Sequence, residues 1–497
     1  MVVNVSECKW PIVSHVVKKM LGWKTSEEPE SMNWDLFWTD HSVKPEFLSK
    51  MESHQKINHF PGTYNFSRKD HLARNLKRLK KEFPQFYKFF PETWNIPSER
   101  GDFQKKFAQR KHKIQTFIVK PEAAAQGRGI FLCQKPDDIP SNESYVVQKY
   151  LDRPYLIDGL KFDLRIYVLL AGVDPLRIFI YEEGLARFST EEYKMPNKKN
   201  IEDLFMHLTN YSINKNSLKF QPNTDSENAN VGHKRSLKSI WEHMRAKGEN
   251  VEKLWEEIKR MVIKTVCPVQ PIIAHLYKCS QPEEFYQHMC FEVLGFDFII
   301  DHKLKPRILE VNHSPSFGID SPFDEDVKSK VICDTLRLMN LTQKMKKKVM
   351  LAKKKELEKR VLTGKRPKLT VEEKALIHSE CQKERDQWIY NHLGGWEVVY
   401  PFQDKSLEKE PYDEIIETSR DLYRKSTGVD RKIVKKGDVS RIISQPSPSK
   451  FLPKNVMPSV ENTNQIPVSA TPAGQNIVIN NKSRSSNFKP PENPKLK

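Results

Sequence analysis

GFDFIIDHKLKPRILEVNH, residues 295–313, reads as two strands and a turn. FDFII (296–300) and RILEV (307–311) are short apolar runs, and DHKLKP between them carries the charges and proline of a loop. If the runs form a hairpin over loop 301–306, Asp297 faces Glu310, their side chains share one face, and Asn312 points the same way. Carboxylates placed directly opposite repel unless a cation neutralises them. Three oxygen donors at one sheet end suit Mg²⁺, which usually takes one or two carboxylates together with phosphate oxygens, as in MgATP. The bland alternative is a solvated pair on an edge hairpin, and the apolar neighbours argue against it. A six-residue loop leaves the register open.

Working outward, KFDLRIYVLL (161–170) alternates: Lys161, Asp163, Arg165 and Tyr167 fall on one face, Phe162, Leu164, Ile166 and Val168 on the other. LRIFIYEEG (176–184) is its expected hairpin partner. Charges this dense on a central strand fit an anionic site, with Lys161 on phosphate and Asp163 on a ribose hydroxyl; a solvent-facing sheet surface is the alternative. FIVK (117–120) is a strand ending in Lys120, and AAAQGRGI (123–130) a small-residue hairpin tip before FLCQ (131–134). Glycines let backbone N–H groups approach phosphates, although an ordinary turn uses them equally well. SYVVQKYL (144–151) is a further strand, and residues 236–290 read as helical. Neither GxxxxGK[ST] nor a strand-coupled GxGxxG is present, which disfavours P-loop and Rossmann readings. Near the start, Leu72, Leu76, Leu79 and Phe83 recur at helical spacing, and Pro84 ends that helix.

The whole chain has 497 residues and a net charge of +19, which points to a polyanionic partner. Segment 344–368 holds twelve Lys/Arg against two Glu, a net +10 in 25 residues, with helical propensity and a weak apolar stripe. Residues from about 430 are rich in Ser, Pro, Asn and Lys and read as disordered. Seven cysteines without a CxxC pair suggest free thiols. The N-terminus has no signal-peptide h-region, and the longest apolar run, Ile166 to Val173, falls far short of the roughly 20 residues of a membrane span. A soluble intracellular protein is expected, with no membrane partner.

WDLFWTD (34–40), INHFPG (57–62), VKPEAAAQGRGIF (119–131), QKYL (148–151), DGLKFDLRIYVL (158–169), EGLARF (183–188), HLTNYSIN (207–214), GFDFIID (295–301) and ILEVNHSPSF (308–317) resemble, in this order, the tubulin-tyrosine-ligase-like family over about residues 1–343. The likeness is greatest to its polyglutamylase branch, particularly members that lengthen glutamate chains. The resemblance implies an α/β (α+β) fold with an ATP-grasp core. Its domains would be an N-terminal domain (1–116), a central ATP-grasp domain (117–182), a C-terminal ATP-grasp domain with the metal site (183–343), a cationic helical microtubule-binding extension (344–428) and a disordered tail (429–497).

It also implies site residues. Lys120 and Lys161 would touch ATP phosphates, with Gln126, Gly127, Arg128, Gly129 and Ile130 folding over them. Gln148, Lys149, Tyr150 and Leu151 would form the adenine hinge; Asp163, Thr209 and Asn210 would lie at ATP. Asp297, Glu310 and Asn312 would hold Mg²⁺. Arg187, Tyr211, Ser212, Lys234 and His313 would bind free L-glutamate, with Arg187, Lys234 and His313 as cations; Lys120, Lys161 and Arg187 would be catalytic. Ala123–Ala125 replace more polar residues often seen there, and the loop QPNTDSENANVGHKR makes Lys234 a less secure match.

The implied reaction is ATP-dependent amide formation between a glutamate carboxylate on an acidic tubulin tail and the amine of free glutamate, through an acyl phosphate. The implied protein is a monomer of the cytoplasm and cytoskeleton, with the cilium axoneme and basal body as further locations. Alternatives are a glycine or tyrosine ligase of the same family, a ligase with a small-molecule acceptor, and a non-catalytic microtubule-binding protein. No nucleic-acid partner is expected, because the basic segment lacks aromatics for base stacking.

Overall fold

A computed structural model of the chain describes residues 1–108, 114–122, 127–141, 143–223, 230–282, 284, 289–364, 370–402 and 408–428. It is a mixed α/β structure built on three sheets. The N-terminal sheet is parallel, in the order β2 (Lys24–Ser26), β1 (Val2–Asn4), β3 (Leu36–Phe37), β4 (Lys56–Ile57). The second is antiparallel and runs β5 (Thr93–Ile96), β8 (Tyr145–Lys149), β6 (Phe117–Pro121), β7 (Phe131–Cys133). Phe117 pairs with Cys133, so β6 and β7 form the expected hairpin.

The third and largest sheet carries the order β12 (Lys234–Ser236), β11 (Leu176–Phe188), β10 (Leu160–Val173), β13 (Glu292–Ile300), β14 (Pro306–Asn312). Short β9 (Leu156–Ile157) pairs with β10. β10 lies between two partners, and its alternation sorts its side chains into two layers. Phe162, Leu164, Ile166, Val168 and Leu170 pack with Leu72, Leu76 and Leu79 of helix Lys69–Glu82 and with Leu254 and Ile258 of helix Val251–Val266. Tyr167, Leu169 and Ala171 pack with Val327, Val331 and Leu336 of helix Pro322–Leu338. On that second face the strand changes character along its length: apolar beyond residue 166, but Lys161, Asp163 and Arg165 before it. The charged end faces the site described below.

The β13–β14 hairpin pairs Asp297 with Glu310 and Gly295 with Asn312. Nearer the tip the register shifts, so that Phe298 pairs with Ile308 and Ile300 with Pro306. The turn is one residue shorter than the sequence suggests. Asp301 Oδ1 accepts the backbone N–H groups of Lys303 and Lys305, both at 2.9 Å. The residue this frees, Leu309, is taken up as a bulge opposite Asp297, as happens when two residues oppose one.

The basic extension begins as helix Gln343–Thr363, capped by Thr342 and ended by Gly364 in the left-handed region. Expectation and structure part beyond it. After helix Val371–Tyr390 comes a strand, β15 (Trp396–Tyr400), which pairs with β11 and enlarges the central sheet, and then helix Tyr412–Thr427. Trp396 and Val399 are buried at this junction, which is the apolar gain that brings the chain back. The expected disordered tail, 429–497, lies outside the described residues. All seven cysteines are free thiols. No helix among the described residues is long and apolar enough to cross a membrane.

Candidate active site

Between the β5–β8 sheet and the charged end of β10 lies a cleft of about 660 Å³. It gathers most of the residues the sequence singled out. Lys120, Ile130, Gln148, Lys149, Tyr150, Leu151, Lys161, Asp163, Arg187, Thr209, Asn210, Asp297 and Glu310 all line it. Apolar walls come from Ile118, Leu208, Ile299 and the bulged Leu309.

The two lysines are buried with neutral partners. Lys120 Nζ donates to Gln148 Oε1 at 3.1 Å. Lys161 Nζ donates to the Tyr150 hydroxyl at 2.9 Å and to the His207 carbonyl at 2.6 Å. Burial pushes Lys120 down to about 8, against the pull of Glu310, and Lys161 down to about 7, against the pull of Asp163. Two cations held out of water with neutral contacts suit an incoming polyanion, which would return both to the fully charged form.

Across the cleft floor runs a charge ladder over three neighbouring strands. Arg165 on β10 faces Asp297 on β13 and holds it bidentately, Nε to Oδ1 at 2.5 Å and an Nη to Oδ2 at 3.0 Å. Arg187 on β11 faces Asp163 on β10 and holds it bidentately, and also reaches Asp297 Oδ2 at 2.7 Å. Arg187, expected as a cation for the amino acid, thus has two structural partners. It also changes what neutralises Asp297. Burial opposes its charge, but Arg165 and Arg187 together hold it well below the usual carboxylate range. Burial pushes Asp163 up against the pull of Arg187.

Glu310 lies opposite Asp297 in register, and Asn312 Nδ2 is 3.4 Å from Glu310 Oε1. No cluster of three His, Cys, Asp or Glu among the described residues could hold a metal by itself. The oxygens of Asp297, Glu310 and Asn312 therefore suit a cation that brings further oxygen ligands with it, which is the habit of Mg²⁺ on a nucleotide.

The residues assigned to the amino acid lie to one side. Lys234 on β12 pairs in register with Arg187. Its Nζ sits 3.9 Å from the centre of the Tyr211 ring and 2.6 Å from Asp324 Oδ2. Ser212 follows Tyr211 in the short helix Tyr211–Asn214. His313 lines a different, smaller cleft with Trp38, Asp40, Asn58 and His59, its Nε2 3.2 Å from Ser42 Oγ. Burial, aided by nearby His59, pushes His313 down to about 4. The free protein therefore offers a neutral imidazole at pH 7, and a carboxylate ligand beside it would favour the cation.

Gly127 and Gly129 both take left-handed φ, 78° and 67°. A Cβ on Gly127 would stand 2.6 Å from Ile213 Cδ1, so together with its left-handed φ this close approach to the 209–214 segment favours glycine. Arg128 is exposed beside them, and Gln126 lies outside the described residues. The sequence reading missed His207, whose carbonyl receives Lys161, and the pairing of Arg165 with Asp297. His207 stands at the head of HLTNYSIN, so its neighbourhood was visible. The Arg165 contact needs the knowledge that β13 lies beside β10, which no local pattern supplies.

Comparison with known proteins gives the family. Residues 47–348 match the tubulin-tyrosine ligase family. The chain is 50% identical over 428 residues to a "Probable beta-tubulin polyglutamylase" of Tetrahymena thermophila, covering 86% of this chain and 36% of that protein. It is 41% identical over 424 residues to "Tubulin polyglutamylase TTLL6" of Homo sapiens (85% of this chain, 46% of the relative). It is 42% identical over 405 residues to "Tubulin polyglutamylase TTLL13" of Mus musculus (81% and 49%). The chain thus spans between about a third and a half of the length of these curated relatives. A family match over more than half of the chain places this protein in the tubulin-tyrosine ligase family.

Proposed function

We propose that this chain is a tubulin polyglutamylase: an ATP- and Mg²⁺-dependent ligase of ATP-grasp architecture that joins the amine of free L-glutamate to glutamate side chains of tubulin tails. The observation that carries the reading is the pair of buried lysines, Lys120 and Lys161, lining one cleft with Asp297 and Glu310. The names of the relatives supply the acceptor and the amino acid. A monomer working on microtubules of the cytoplasm, axoneme and basal body fits this reading.

A carboxylate oxygen is a poor leaving group, and MgATP, when bound, would supply the phosphoryl group that activates the acceptor. The chain's own residues divide the remaining work. Lys120 and Lys161 stabilise negative charge where water is excluded, and a preorganised donor is worth most in such a place. Arg165 and Arg187 fix the orientation of Asp297 opposite Glu310. Ile118, Leu208, Ile299 and Leu309 offer flat apolar walls to a base. Arg187 stands where the nucleotide side meets the amino-acid side and orients both through its two carboxylates.

Two tests belong here. Formation of ADP should require tubulin and glutamate together; ADP release that ignores both would overturn the ligase reading. ATP binding should also take up protons. Lys161 near 7 and Lys120 near 8 are partly neutral in the free protein at pH 7–8, and bound phosphate would raise both values. Affinity should therefore weaken from pH 7 to 9. Calorimetry in buffers of different ionisation enthalpy should report net proton uptake at pH 8, and zero uptake across that window would contradict the placement of phosphate on these lysines.

The basic helix is the expected contact with the acidic tubulin tail or lattice. Not all of its lysines are available. Lys346 is paired with buried Asp35 at 2.6 Å, and Lys353 and Lys348 are paired with Glu52 and Glu384. Lys347, Lys354, Lys355 and Lys359 are exposed. Reversing these four to Glu should cut microtubule co-sedimentation steeply, with a strong salt dependence because screening acts over about 8 Å at physiological salt. ATP binding and thermal stability should be unchanged. Co-sedimentation equal to wild type would return the helix to the status of a solvated surface.

A further inference from the structure

The amino-acid side of the cleft holds a contradiction that points to a moving part. Lys234 is the cation best placed beside Arg187 for a free amino acid's carboxylate, yet it is buried and already satisfied. Its Nζ meets Asp324 Oδ2 at 2.6 Å and Asp320 Oδ2 at 3.3 Å, and stacks over Tyr211. The Tyr211 hydroxyl is hydrogen-bonded to Asp320 as well. With Lys328 on Asp324 at 2.8 Å, two lysines meet two aspartates and the corner is neutral. A carboxylate ligand would find no net positive charge there.

The two aspartates are not equivalent. Asp324 is fully buried and held by Lys234, by Lys328 and by the backbone N–H of Asp320; its own N–H is capped by Ser321 Oγ. Asp320 is 44% exposed at its side chain, and its contact with Lys234 is the longer of the two. It lies on the irregular stretch joining β14 to helix Pro322–Leu338. Asp324 builds the corner, whereas Asp320 can leave it for water at little cost.

We propose that Asp320 is a displaceable carboxylate that occupies the amino-acid site in the free protein, holding Lys234 and Tyr211 until the carboxylate of the incoming amino acid takes its place. The assignment rests on the ligase reading above and adds a selectivity element to it. A ligand with no carboxylate to offer Lys234 cannot displace Asp320. A ligand with one recovers the ammonium contact, and the Asp320 side chain regains full hydration.

The test is equilibrium titration of L-glutamate, and of glutarate as a dicarboxylate without the amine, into the MgADP-loaded full chain. Asp320→Asn should bind L-glutamate about 3–5-fold more tightly than wild type, in keeping with the worth of a partly exposed ion pair. Asp320→Ser should do the same, Asp320→Glu should stay near wild type, and Lys234→Gln should bind more weakly. In ligation, the KM for glutamate should fall by the same factor in Asp320→Asn, with the KM for ATP unmoved. Binding by both neutral variants that is no tighter than wild type, with thermal midpoints intact, overturns the gate and leaves Asp320 an ordinary acid ahead of a helix. If wild type ligates glutamate but the variants do not tighten, the gate alone fails. If wild type ligates none and the variants still tighten on carboxylates, the proposed reaction fails and the gate stands.

Discussion

Glu310→Gln should lower ligation by at least about 10²-fold, in the range seen when a transition-state electrostatic contact is removed, and leave the fold intact. Glu310 faces Asp297 in register and is half-buried in the cleft. Among the described residues its direct polar contact is a long one, 3.4 Å to Asn312 Nδ2, so little of the fold depends on its charge. It lies opposite an aspartate whose charge two arginines already offset, which leaves Glu310 as the carboxylate with most of its lone pairs available. Its loss should raise the Mg²⁺ concentration needed for half-maximal activity. Turnover near wild type at moderate Mg²⁺ would remove Glu310 from the metal site.

Arg187→Ala should do something different: destabilise and inactivate together. Arg187 bridges Asp163 and Asp297, both buried, and removing one partner from a buried ion-pair network typically costs about 3–5 kcal/mol because it strands the other charge. The sign with pH follows from Asp297. Its folded value lies below the ordinary aspartate value of about 3.9. The stability this contributes is present in full above about pH 4 and is lost as pH falls through the folded value. Without Arg187 the folded value rises toward the unfolded one, so less stability is left to lose below about pH 4, and the variant's deficit relative to wild type should shrink as pH falls. Denaturant unfolding at pH 7 and at pH 3 would measure both effects. A midpoint equal to wild type, with only the KM for glutamate changed, would mean that Arg187 is a substrate contact and the ladder a minor support.

These two residues show how far the sequence reached. The opposition of Asp297 and Glu310 was legible because a hairpin is local: two apolar runs and a short loop bring the residues together whatever the rest of the chain does. Even the one-residue error in the turn did no harm, since the bulge at Leu309 falls on the tip side of that pair. The alternation of β10 was legible for the same reason, and it separated the apolar layer from the charged end; the second core layer at Tyr167, Leu169 and Ala171 was not expected. Arg187 was not. Its partners lie 24 and 110 positions away, and Asp297 reaches it only because β13 docks on the far side of β10.

Long-range charge pairing likewise hid the state of the basic helix. Lys346 meets Asp35 across 311 positions, and nothing in a run of lysines says which of them will find a carboxylate at home. β15 was missed because WEVVY sits in a segment whose composition is dominated by charge, and its strand character appears only against the waiting edge of β11. The gate at Asp320 belongs to the same class: the sequence marks Lys234 as a cation, and only the fold puts two aspartates on it.

The most direct test of the account is incubation of the chain with tubulin, MgATP and each of labelled glutamate, glycine and tyrosine in turn, followed by mass-spectrometric mapping of the modified residue. The account predicts label from glutamate alone, in amide linkage to glutamate residues of the acidic tail, and no label with Glu310→Gln. Label from glycine or tyrosine in preference to glutamate, or no label from any amino acid with the chain folded and ATP bound, would contradict it.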